Sequence, residues 1–95
     1  MSVYLIAQGT INDREMLNQY MEKVVPTIPS DAKVLSIDEN AEVVEGEVGV
    51  RTVLIEFPDR AAFRAWYDSP EYQAIVHLRL DSVAGHLAVA EGLPG

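Results

Sequence analysis

The chain has no cysteine. That excludes a disulfide framework, a thiolate metal site and a cysteine nucleophile, and it fits a reducing compartment. Positive charge is scarce as well: seven lysines and arginines stand against fifteen acids, for a formal charge of −8. The bases (Arg14, Lys23, Lys33, Arg51, Arg60, Arg64 and Arg79) are scattered along the chain. Displacing counterions from a phosphate backbone needs a concentrated basic surface, so nucleic acid is not an expected partner. An anionic membrane surface is not an expected partner on the same ground. The opening segment MSVYLIAQGT has no basic residue, and its apolar run is too short for a secretion signal or a membrane span. It reads as a first strand, and the expected location is the cytoplasm. The only histidines are His77 and His86. Neither sits in a HExxH, His-x-His or acid–His spacing that would hold a metal. No glycine-rich phosphate cradle is present either, since EGEVGV at 45–50 has no helix start behind it. No metal or cofactor is expected.

What remains is an ordinary globular composition. The 95 residues, 48% hydrophobic and 23% charged, suit one domain spanning 1–95, with 91–95 expected as a loose tail. Val3 to Gln8 is an apolar strand closed by Gly9. Asn12 is placed to cap a helix, with Glu15 completing a capping box. Met16, Leu17, Tyr20, Met21 and Val24 then recur on one face until Pro26 kinks or ends the helix. AKVLSID at 32–38 is a second strand, and AEVVEG at 41–46 is expected to be a short one. VRTVLIEF at 50–57 is the strongest strand signal, and Pro58 stops it. Asp59 caps a helix through Asp68 with Phe63 and Trp66 on its inner face. DSPEYQAIVHLRL at 68–80 restarts a helix, with Ser69 as N-cap and Pro70 in the first turn. HLAVAEG at 86–92 is the last strand.

This order predicts an α+β fold, a ferredoxin-like βαββαβ sandwich with an antiparallel sheet and helices on one face. The two most apolar strands, first and third, belong at its centre. Val53, Ile55 and Phe57 alternate with Thr52, Leu54 and Glu56, and Val3, Leu5 and Ala7 alternate with Tyr4 and Ile6. Both faces are therefore apolar, and both should be covered. Helices can cover only one. The other is expected to meet its own copy in a two-fold homodimer, closing an α/β barrel.

The segment VLIEFPDRAAFRAWYDSPEYQ, residues 53–73, carries a family resemblance. Its strand ending Glu56-Phe57-Pro58, its Trp66-Tyr67-x-Ser69-Pro70-x-Tyr72 run, the downstream Arg79 and the Glu45-Gly46 pair are similar to the uncharacterised family called domain of unknown function 1330. That family lies within the dimeric α/β-barrel superfamily. The Gly-Gly usual before strand two is absent, the chain reading PSDAKV. The resemblance implies a ferredoxin-like homodimer with a cleft between sheet and helices. The superfamily includes cofactor-independent oxygenases, haem proteins and small-molecule isomerases.

Among the residues, Glu56 is the candidate acid or base, because burial in a central strand would raise its pKa. The plainer reading pairs it with Arg79, the cation on an inward helix stripe, to fasten helix to sheet. Arg79 is alternatively a grip for a substrate carboxylate. Trp66, Tyr67, Tyr72 and Tyr4 are the candidate walls of a binding site, although core packing is the favoured reading of Trp66 and, by a smaller margin, of Tyr67 and Tyr72. Ser69 has a ready role as a cap. The expected function is a small cytoplasmic homodimer whose cleft binds a small organic molecule, with cofactor-independent proton transfer or oxygenation as its compatible chemistry. A non-catalytic structural or interaction module is the first alternative. A haem-binding protein with His77 as ligand, by analogy with the superfamily, is the second.

Overall fold

The structure, a computed structural model, describes residues 1–94. Strand β1 (Val3–Ile11) leads to helix α1 (Arg14–Val24), which tightens into a 3₁₀ turn at Val25–Thr27. Strands β2 (Lys33–Asp38) and β3 (Arg51–Phe57) follow, then helices α2 (Arg60–Tyr67), α3 (Pro70–Gln73) and α4 (Val76–Ser82), and finally strand β4 (Val83–Glu91). The strands form one antiparallel sheet in the order β2-β3-β1-β4, so β1 and β3 are central as expected. The Cα envelope of 36 × 34 × 16 Å is thin in one direction, as one helical layer on one sheet requires.

Strand alternation decides which side chains meet the helices. Val3, Leu5 and Ala7 of β1 and Arg51, Val53, Ile55 and Phe57 of β3 are buried on the helix side. Their neighbours Tyr4, Ile6, Gln8, Thr52, Leu54 and Glu56 point the other way and are only partly covered. The register carries this parity across the sheet: Tyr4 faces Glu56, Ile6 faces Leu54 and Gln8 faces Thr52. In β2 the pairing shifts between Val34 and Ser36, so a bulge at Leu35 puts both Val34 and Ile37 on the helix side.

The helix boundaries follow local chemistry. Asp59 accepts from the Ala62 amide at 2.7 Å and Ser69 from the Tyr72 amide at 3.1 Å, the two caps the sequence predicts. Pro26 lies in the 3₁₀ turn that ends α1.

Several expectations are corrected. The cap of α1 is Asp13, whose carboxylate accepts from Met16 N at 3.0 Å, and not Asn12; the Asn12 amide instead donates to the Ser82 carbonyl at 2.7 Å. The expected single helix over 68–80 breaks at Ile75, whose φ of −119° leaves the helical range beside a second β-branched residue, Val76. AEVVEG is not a strand. Gly46 and Gly49 adopt φ of +81° and +75°, turning the chain twice, and the Ala41 amide closes the loop on the Val50 carbonyl at 2.9 Å. Gly49 also packs on the Gly9 backbone so closely that a Cβ there would lie 2.3 Å from the Gly9 carbonyl. Strand β4 begins three residues before the expected His86, and Glu91 still belongs to it. The expected tail is tied down at its start, since Gly92 N donates to Ser2 O at 2.8 Å. Gly95 lies outside the described residues.

Candidate functional site

Between α1 and the sheet lies a cavity of about 270 Å³. Its floor is built by the inward side chains of all four strands, Leu5 and Ala7, Val53 and Ile55, Val34 and Ile37, and Leu87. Tyr20, Met21 and Val24 of α1 form the roof, and Trp66 and Arg79 come in from α2 and α4. Helix α1 stops short of the edge strand, so Val34 and Ile37 remain 45% and 49% exposed and mark the mouth. Ligand pockets in proteins share this character, an apolar wall with a few placed polar groups.

Those polar groups come from separate elements. Arg51 opens β3 in phase with Val53 and is only 4% exposed. Its Nη2 reaches Met21 Sδ at 3.2 Å, and its Nε has no hydrogen-bond partner. Burial pushes its pKa down, and the like charge of Arg79 pushes in the same direction. The Nε of Arg79 is likewise buried without a partner. The hydroxyls of Tyr20 and Tyr72 lie 2.9 Å apart, with the rings edge to face. Burial, first of all, raises the pKa of both tyrosines, and the charges of Arg79 and Arg51 only partly offset this at Tyr20.

Trp66 is fixed on both sides. Its ring lies 4.2 Å from that of Tyr72, and its Nε1 donates to Thr27 Oγ1 at 3.0 Å, which in turn donates to the Val24 carbonyl at 2.6 Å. The 3₁₀ turn and α2 are thereby held against the same end of the cavity. At the β2 end of the sheet, Arg14 pairs with Glu39 at 2.8 Å, joining the start of α1 to the residue after β2.

Raised tyrosine pKa values have a measurable consequence. In the unfolded chain both phenols ionise near the ordinary value of about 10, whereas the folded chain keeps them protonated. Folded protein then binds more protons than unfolded, so stability should fall as pH rises above about 10. Denaturant unfolding followed from neutral to strongly alkaline pH should show that loss, with Tyr20→Phe reducing it. A flat profile would contradict the buried pair.

The sequence-predicted residues separate into three places. Arg79 and Trp66 line the cavity, and Tyr72 stands behind its wall, fully buried. Tyr67 lies to one side, stacked on Phe63 with ring centroids 5.6 Å apart and the Arg64 guanidinium 5.4 Å from its ring. Glu56 and Tyr4 are cross-strand neighbours on the opposite face of the sheet. The expected Glu56–Arg79 pair is therefore not formed: the sheet itself stands between them. His77 is exposed on α4 and does not line the cavity, so it is not placed as an axial ligand. Among the described residues no cluster of metal-binding side chains occurs, and no helix is long and apolar enough to cross a membrane. Arg51 and Tyr20 are the site residues that sequence reasoning missed. The available signals were the phase of Arg51 with Val53 and the inward stripe of α1 that contains Tyr20.

An antiparallel β2-β3-β1-β4 sheet with helices on one face, enclosing a cleft, defines a ferredoxin-like α+β protein. The chain belongs to the family described as Domain of unknown function (DUF1330), whose family model matches residues 2–93. No curated protein matches it. Among solved structures it is similar to a dimeric ferredoxin-like protein of unknown function from Jannaschia sp. CCS1, with a TM-score of 0.68 and 17% identity over 97% of this chain and 100% of that one. A second dimeric ferredoxin-like protein of unknown function, from Thermobifida fusca YX, gives a TM-score of 0.60 and 16% identity over 95% and 88%. A protein named antibiotic biosynthesis monooxygenase gives 0.56 and 20% over 97% and 99%. These likenesses establish the fold.

Proposed function

We propose that the protein binds a small organic molecule in the cleft between sheet and helices, and that it does so as a homodimer joined through the open face of the sheet. The observation that carries the reading is the cavity itself, apolar in its walls, open along β2 and supplied with polar groups from three helices and a strand. Self-association draws support from the half-covered Ile6 and Leu54 on the open face and from the dimeric state of the two relatives. A chain without cysteine suits a reducing cytoplasm.

Binding, rather than proton transfer, is the activity this cleft supports best. No carboxylate or imidazole is among its lining residues, and Glu56 lies on the other side of the sheet. Oxygenation of the bound molecule is a second reading, motivated by the fold shared with the monooxygenase-named neighbour. Oxygen uptake during incubation with a bound compound would distinguish it from simple binding.

Trp66 is the only tryptophan and lines the cavity, so its emission reports directly on occupancy. A neutral apolar compound such as benzyl alcohol should shift that emission saturably. At tenfold excess over Kd it should stabilise the fold by about 1.4 kcal/mol, or roughly 6–11 °C in a chain this short. Ala7→Phe, which fills the floor, should abolish the response. A response that survives Ala7→Phe, or never saturates, would count against the cleft.

A further inference from the structure

We propose that the molecule held in this cleft is a monocarboxylate, an apolar body whose single carboxylate head sits between Arg51 and Arg79; the inference rests on the cleft-binding reading above. Arginine keeps its proton under all ordinary conditions, so a buried guanidinium needs an anion or a set of acceptors. Arg51 is 4% exposed and has a thioether as its only side-chain partner, with its Nε left over. The Arg79 Nε is left over too, while the rest of its guanidinium acts on the Tyr72 hydroxyl.

This deficit arises in a chain with fifteen acids. Among the described residues the ion pairs are Arg14–Glu39, Arg60–Glu91 and Arg64–Asp68, all exposed, and none involves Arg51 or Arg79. Glu39 is the carboxylate that acts on Arg51 through space, and it is engaged with Arg14 at 2.8 Å. A protein with acids in surplus has left two inward cations for something else.

The tyrosines sharpen the assignment. Two hydroxyls 2.9 Å apart carry two protons, and their mutual bond uses one of them. Both phenols are held neutral by burial, so the second proton is also available for donation. The site then offers the Arg51 Nε–H, the Arg79 Nε–H and one phenolic O–H, while the side-chain acceptors that line the cavity, the Tyr20 hydroxyl and the Met21 thioether, are both neutral. Arg51, Arg79 and Tyr20 line the same cavity, and Tyr20 holds Tyr72 by its hydroxyl. A carboxylate presents two oxygens with about four lone-pair sites to such a set, and guanidiniums favour its planar form. The rest of the wall is apolar, which suits a hydrocarbon or aryl body and leaves no partner for a second charged group.

The test compares shape-matched acids and amides on the native protein: phenylacetate against phenylacetamide, and hexanoate against hexanamide, by calorimetry and Trp66 emission. The acids should bind at least about tenfold more tightly, as expected for hydrogen bonds to a charged acceptor. In Arg51→Met, and separately in Arg79→Met, that preference should fall below about threefold while the amides bind as before. Circular dichroism and melting of each variant establish that it is folded, and Arg51→Lys and Arg79→Lys provide the charge without the fork if a methionine variant does not fold. Amides binding as tightly as acids would overturn the carboxylate assignment and leave the cleft reading standing. So would an acid preference that survives both methionine substitutions, or inorganic phosphate or glutarate binding more tightly than hexanoate. Absence of any response to acids and amides alike would remove both readings together.

Discussion

Leu54→Asp is expected to leave the protein monomeric at concentrations where the native chain self-associates. Strand register places Ser36, Leu54, Ile6 and Ala88 in one row across the open face of all four strands. More polar rows flank it, one containing Lys33, Glu56, Tyr4 and Ala90, the other Asp38, Thr52, Gln8 and His86. An apolar stripe between polar margins is the arrangement a two-fold contact favours, because each copy presents the same stripe to the other. An aspartate in that stripe would be buried close to its own symmetry mate. Like charges so placed cost several kcal/mol, which raises the dissociation constant about a thousandfold. Leu54 is only half-covered within its own chain, so the monomer should keep its fold. Sedimentation velocity over a concentration series, with circular dichroism on the same samples, measures both. A native chain that stays monomeric at high micromolar concentration would remove the interface.

The second large effect is on stability and runs opposite to the usual direction for a buried position. Arg51→Met should make the empty protein more stable. The side chain is buried, its charge is disfavoured by desolvation and by Arg79, and no carboxylate pairs with it. Replacing buried ionic groups by apolar side chains of similar volume is often neutral or stabilising, by up to about 4 kcal/mol. An Arg51 with no carboxylate partner belongs on the stabilising side, with Met21 already beside the site. On the carboxylate-binding proposal, Arg51 exchanges stability for binding, a familiar feature of functional sites. Denaturant unfolding of the two proteins without ligand is the measurement. A loss of about 1 kcal/mol or more in the variant would identify Arg51 as a structural residue instead.

How far the sequence led can be followed residue by residue. Period-two alternation in β1 and β3 was strong enough to show both the sheet and its two apolar faces. Asp59 and Ser69 were legible as caps because each has its helix start immediately behind it. Asn12 and Asp13 are both good cap residues one position apart, and only the tertiary bond from the Asn12 amide to Ser82 separates them. AEVVEG had a strand's composition, but its last residue, Gly46, and Gly49 beyond it are left-handed and bend the chain into a loop.

The site was half legible. Arg79 and Trp66 were named from their helix faces and do line the cavity. Glu56 drew attention as an acid among apolar residues, yet its own alternation with Ile55 and Phe57 already set it on the face away from the helices. The same parity puts Arg51 inward with Val53. That signal was present and went unused, because an arginine at a strand's first residue reads as solvent-facing until a helix is known to lie above it. Tyr20 looked like core, which it is; its polar tip acquires meaning only beside Tyr72, fifty-two residues away.

The most direct measurement of the central claim is to follow the arginine Nε–H resonances together with the backbone amides while phenylacetate is titrated in. The account predicts that Arg51 and Arg79 move together and saturate with one dissociation constant, along with amides of Tyr20 and Val53, while Tyr4, Thr52 and Glu56 stay unchanged. Saturable shifts confined to Tyr4, Thr52 and Glu56, with both arginine signals unmoved, would place the ligand on the other side of the sheet and contradict it.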